Sequence, residues 1–125
     1  MGLLGKILGK ENKPQIKFDA IDDESFRDKV LAADKPVMLF LWSNTCPYCR
    51  KMAPNVLNVL QRHGGEVIGF QANAGEVPRI SATVQLRGVP ATVFFHRGKM
   101  VDFVGGFRPE DYLDDLIVKH FGEQG

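Results

Sequence analysis

The sequence predicts an α/β fold, a central mixed β-sheet flanked by helices, with elements in the order βαβαβαββα. Three observations carry this reading. Val37 to Trp42 is apolar at every position and of strand length, as expected of a strand covered on both faces. Strand-length apolar runs alternate along the chain with segments whose apolar residues recur at spacings of three and four. The chain, at 125 residues and 13.9 kDa, is sized for a single hydrophobic core.

Each element has its own signal. Met1 to Gln15 hold Gly2, Gly5, Gly9 and Pro14, and each glycine costs ~1 kcal/mol of helix. Leu3, Leu4, Ile7 and Leu8 share a helical face there, but residues 1–15 read as a flexible N-terminal extension and 16–125 as the domain. Ile16-Lys17-Phe18 alternates like a short strand, and Asp22-Asp23-Glu24 supplies an acidic helix start before Phe26, Val30 and Leu31. Pro36 admits the central strand. Pro47 opens a helix that turns Val56, Leu57 and Leu60 inward, is expected to bend at Pro54 and stops at Gly64-Gly65. Glu66 to Asn73 reads as a strand, Glu76 to Gln85 as a short helix, and Ala91 to Phe95 as an apolar strand introduced by Val89-Pro90. Arg97-Gly98-Lys99 turns the chain into a hairpin strand, Met100 to Val104, which Gly105-Gly106 ends. Pro109 suits the first turn of a last helix in which Tyr112, Leu113, Leu116, Ile117, His120 and Phe121 repeat at spacings of three and four.

Composition narrows the function. Apolar residues make up 44% and charged residues 25%, which describes a globular protein and excludes disordered or fibrous chains. Lys plus Arg number 16 against 15 Asp plus Glu, so no field concentrates on phosphates and no nucleic-acid partner is expected. The longest apolar run falls far short of the ~20 residues of a membrane span. The amino terminus lacks a signal-peptide pattern, and Lys6 stands where a myristoylation signal wants Ser or Thr, so a cytoplasmic, reducing location is expected.

Both cysteines fall in Cys46-Pro47-Tyr48-Cys49. A strand ending at Trp42 and a helix beginning near Pro47 put Cys46 at the helix N-cap. There the free N–H groups of Tyr48 and Cys49 and the helix dipole favour thiolate over thiol. The thiolate is the nucleophile of disulfide exchange, which makes Cys46 the attacking residue. Cys49, one turn inward, reaches the Cys46 sulfur but is shielded from a bulky partner, and is placed to resolve a mixed disulfide. Three other readings are weaker. A structural disulfide here closes a ring too small to constrain the unfolded chain much, His63, His96 and His120 lack metal spacing with the pair, and two inert core thiols leave the clustering unexplained.

Trp42-Ser43-Asn44-Thr45-Cys46-Pro47-Tyr48-Cys49-Arg50-Lys51, Pro54, Gly88-Val89-Pro90-Ala91-Thr92, Gly98, Gly106 and Asp23-Glu24-Ser25-Phe26 together resemble the thioredoxin family, from about Ile16 to Phe121. The resemblance implies a thioredoxin-like fold with a cis peptide bond before Pro90 and Trp42 packed beneath the site. It implies a shallow groove at Val89, Pro90 and Gly106 for a partner's disulfide-bearing segment, with Thr45, Pro47 and Tyr48 shaping the surface around the sulfurs. It also implies a monomer with no bound cofactor beyond a redox-active Cys46–Cys49 disulfide. Electrons would come from NADPH through a flavin enzyme, thioredoxin reductase, and pass to disulfide-bearing proteins.

The chain departs from the family pattern at three places. A buried Asp usual in the family is replaced by Phe40, and its companion Lys is absent, since no Lys lies between Glu66 and Glu76. Removing both avoids an unpaired buried charge. Thr45 stands where Trp is usual. The Pro-Tyr dipeptide is that of glutaredoxins, which use glutathione, and Gly105-Gly106 followed by Asp111 is similar to their glutathione-contacting glycines. The separation of Pro90 from Gly105 fits the longer thioredoxin hairpin. The expectation is an atypical thioredoxin, with a glutathione-linked oxidoreductase and a redox-inactive adaptor of the same fold as alternatives.

Overall fold

The computed structural model describes residues 18–122. Four strands, β1 (Val37–Trp42), β2 (Ile68–Asn73), β3 (Ala91–His96) and β4 (Lys99–Gly105), form one sheet in the order β2-β1-β3-β4. β1 runs parallel to β2 and antiparallel to β3, and β3 pairs antiparallel with β4. The sheet is mixed and flanked by helices, as expected.

The unbroken apolar run of β1 has the cause inferred from it, since both faces are covered and all six residues are buried. On one face a π-helical turn, α1 (Arg27–Leu31), and a short helix, α3 (Pro78–Thr83), bring Val30 and Ile80 against Val37, Leu39 and Leu41. On the other, α2 (Pro47–Arg62) and α4 (Glu110–Phe121) bring Met52, Val56, Leu113 and Ile117 against Met38 and Phe40. Successive β1 side chains feed alternate layers, as the period of a strand requires.

The differences from expectation are local. The strand expected at Ile16-Lys17-Phe18 lies mostly outside the described residues, as does the extension read at 1–15. Within them, Ala20 makes an isolated bridge to Gln71, next to the edge of β2. β2 starts at Ile68 because the Glu66 N–H donates to the His63 carbonyl, which keeps Glu66 in the turn that ends α2. The helix expected over Glu76 to Gln85 is divided into a 3₁₀ turn, Ala74–Glu76, and α3, because Pro78 has no N–H and starts a new helix. Pro109 is the N-cap of α4, with ψ 166°, and not part of its first turn. α2 runs through Pro54 as one helix.

The acidic run divides its work. Asp22 and Ser25 exchange hydrogen bonds in a capping pair, 2.8 and 3.0 Å. Asp23 instead accepts the N–H groups of Arg79 (3.0 Å) and Ile80 (2.9 Å), satisfying open donors at the start of α3. In the β3–β4 hairpin, Arg97 and Gly98 both have positive φ, 54° and 83°, the two-residue turn whose twist matches the strands.

Candidate active site

β1 ends at Trp42, and the chain turns through residues 43–45 into α2. Cys46 is the N-cap, with φ −105° and ψ 104°, and Pro47 takes the first helical position, where a missing N–H costs nothing. The Cys46 Sγ accepts the N–H of Cys49 at 3.1 Å. A sulfur held by a helix-terminal donor is stabilised as the anion. The Cα atoms of the two cysteines are 5.2 Å apart and their sulfurs stand at disulfide distance. Cys49 is 0% exposed, whereas Cys46 keeps part of its surface open. An incoming sulfur therefore meets Cys46, and Cys49 acts from behind it.

The remaining predicted residues lie on the loops and strand ends around this turn and in the core beneath it. Trp42 is buried in the same cluster as Cys49, and Cys46 and Val89 pack against that cluster. The Val89–Pro90 peptide is cis, and Pro90 is buried. Gly106 has φ 82°, a conformation costly for other residues, and its N–H donates to the Pro90 carbonyl at 2.8 Å. That bond ties the loop after β4 to the loop before β3 and brings Pro90 and Gly106 together. Thr45 and Pro47 are exposed on the turn. Tyr48 is 58% exposed, with its ring 6.3 Å from that of Phe107 and Lys51 Nζ 5.5 Å from its centroid.

Two residues of the site were not foreseen. Gln71 accepts the Trp42 Nε1–H through Oε1 at 2.6 Å. Only the register of β2 on β1, which sets Gln71 beside Phe40, could have shown it. Phe107 had a signal, an exposed aromatic just past the Gly105-Gly106 break. Phe40 is fully buried in the Cys49 cluster, so that layer is apolar at the position where the family usually carries a carboxylate. Across from it on β3, Thr92 is buried, and its hydroxyl has no hydrogen-bond partner among the described residues. His63 pairs with Asp114 (2.6 Å) and His120 with Asp102 (2.7 Å), so each holds an element of the fold in place.

The thioredoxin family model matches residues 17–119. The chain belongs to the thioredoxin family. It is 31% identical to thioredoxin 1 of Nostoc sp. over 100 residues, 80% of this chain and 94% of that protein. Thioredoxin 1 of Synechococcus elongatus is likewise 31% identical, over 81% of this chain and 94% of its own length. The chloroplastic M-type thioredoxin of spinach is 28% identical over 80% of this chain and 55% of its own length. Family and cysteine pair together make this thioredoxin-family protein a thiol-disulfide oxidoreductase, and favour neither the glutaredoxin-type nor the adaptor reading. Among the described residues, no helix is long and apolar enough to cross a membrane.

Proposed function

We propose that the protein is a cytoplasmic, monomeric reductase of protein disulfides that receives its electrons from NADPH through a flavin reductase and needs no bound cofactor. The observation that supports this best is the asymmetry of the sulfurs, Cys46 open at a helix terminus and Cys49 enclosed. In the reduced protein, the Cys46 thiolate attacks one sulfur of a partner disulfide. A Cys46–partner bond forms, the partner's S–S bond breaks and the second partner sulfur leaves as thiolate. Cys49 then loses its proton and attacks the Cys46 sulfur, which closes the Cys46–Cys49 bond and releases the first partner thiol. Two electrons have moved from the protein to the partner.

In this reading Val89, Pro90 and Gly106 hold the partner's backbone, and Trp42, Thr45, Pro47 and Tyr48 shape the approach to Cys46. With Phe40 in place of a carboxylate, the Cys49 proton leaves through water or a backbone group. A buried-carboxylate step in the pH profile of disulfide reduction would contradict that route.

Equilibration in glutathione buffers of graded poise, with alkylation and mass to count bridged cysteines, tests the electron source. The expected result is a bridge that survives a large excess of reduced glutathione, as a strongly reducing couple served by a dedicated reductase requires. Ready reduction by glutathione would remove the reductase from the scheme.

A further inference from the structure

At the carboxyl ends of β1 and β2 lies a cavity of about 420 Å³, with Asp22, Trp42, Asn44, Gln71, Asn73 and Glu76 in its wall. Topology explains its position. β1 leads into α2 on one face of the sheet, and β2 leads through the 3₁₀ turn into α3 on the other. Two neighbouring parallel strands thus send the chain in opposite directions, and α/β folds bind ligands in the crevice this opens. Asn44 belongs to the same turn as Cys46, so the crevice borders the turn that carries the reactive sulfur.

The charges of the wall are of one sign. It carries two carboxylates, Asp22 and Glu76, together with side-chain amides, and no Lys or Arg lines it. Glu76 is exposed and pairs with no cation among the described residues. Hydrogen bonds from Ser25 hold the Asp22 carboxyl below its ordinary 3.8, so it is ionised at neutral pH. The adjacent acids differ, since Asp23 and Glu24 already face Arg79 at 3.9 and 3.6 Å. Trp42 also lines it, with its Nε1–H donated to Gln71. Beyond the sulfurs, towards the β4 side of the sheet, Lys51 offers the opposite charge, its Nζ lying over the Tyr48 ring.

We propose that this crevice receives a lysine or arginine side chain of the disulfide-bearing partner, a few residues from the cysteine that Cys46 attacks. The proposal rests on the disulfide-reductase reading and names the partner chemistry of that site. Engagement of the cation by Asp22 and Glu76 fixes the direction in which the partner segment crosses Cys46, with its acidic or aromatic end towards Tyr48.

The test uses the full chain and two disulfide-linked peptides that differ only in a Lys or a Glu a few residues from the cysteine. Each rate of reduction is divided by the rate with dithiothreitol, which removes the intrinsic reactivity of the peptide. The lysine peptide is expected to be reduced ~3- to 5-fold faster at low ionic strength, with the difference fading at about 1 M salt. Glu76→Gln is expected to bring the two rates together. Equal rates with the unaltered protein, or a preference that Glu76→Gln leaves intact, would overturn the proposal. So would a rise in the lysine-peptide rate on replacing Lys6, Lys10 and Lys13 by Gln, because the chain's own amino-terminal segment would then be the occupant. Reduction of neither peptide would instead defeat the reductase reading on which the proposal stands.

Discussion

Thr92 is the point at which the core is chemically least satisfied. Its buried hydroxyl has no partner among the described residues, and an unmet group of this kind costs ~1–3 kcal/mol. Thr92→Val keeps the shape and removes the polar atom, and is expected to raise stability by about 1 kcal/mol. Urea unfolding reads this as a higher midpoint at unchanged slope, and a lower midpoint would mean that the hydroxyl has a partner in solution. Tyr48 is the opposite case, an exposed ring beside the sulfurs and next to Phe107. Tyr48→Ala is expected to slow reduction of protein disulfides by several-fold at unchanged stability, and identical kinetics and potential would remove Tyr48 from the site. Cys46, Cys49 and Pro47 were legible in the sequence because their geometry is set by neighbours in the chain, whereas Pro90 was reached only through the family resemblance. Gln71 was not, because its meeting with the Trp42 indole depends on the register between two strands.

Among the elements, α2 and α4 are clasped together by polar side chains along their seam. Asn58 Nδ2 donates to Glu110 at 2.7 Å, Arg62 Nη2 donates to its other oxygen at 2.9 Å, and Asn55 Nδ2 donates to the Arg108 carbonyl at 3.0 Å. The Asn58 hydrogen bond first, and Arg62 after it, hold the Glu110 carboxyl below its ordinary 4.5. A depressed carboxyl contributes stability that is present above its unfolded pKa and is lost as pH falls through the folded one. The contribution of Glu110 is therefore intact above about 4.5 and fades below it. An NMR titration should show Glu110 titrating below 4.5 and moving up in Asn58→Ala, and a midpoint at or above 4.5 in the unaltered protein would contradict the clamp. Most elements were legible from spacing alone. The acidic run before α1 was read as one helix start because the sequence does not show that Asp23 reaches a helix far along the chain.

At the scale of the molecule, one central strand sets both the core and the chemistry. β1 is buried along its whole length, so its carboxyl end is held from both faces, and the turn it feeds presents Cys46 to the outside and Cys49 to the core. This architecture was readable because a fully apolar strand and a capped cysteine motif are local patterns. The crevice beside them was not, since it arises from where two connections leave the sheet. The division of labour between the sulfurs is open to test by trapping. Reduced Cys49→Ser and Cys46→Ser proteins are each mixed with a disulfide-bearing protein, and the adducts are identified by mass. A stable mixed disulfide through Cys46 is expected in Cys49→Ser, and neither adduct nor turnover in Cys46→Ser. An adduct through Cys49, or disulfide reduction that persists without Cys46, would contradict it.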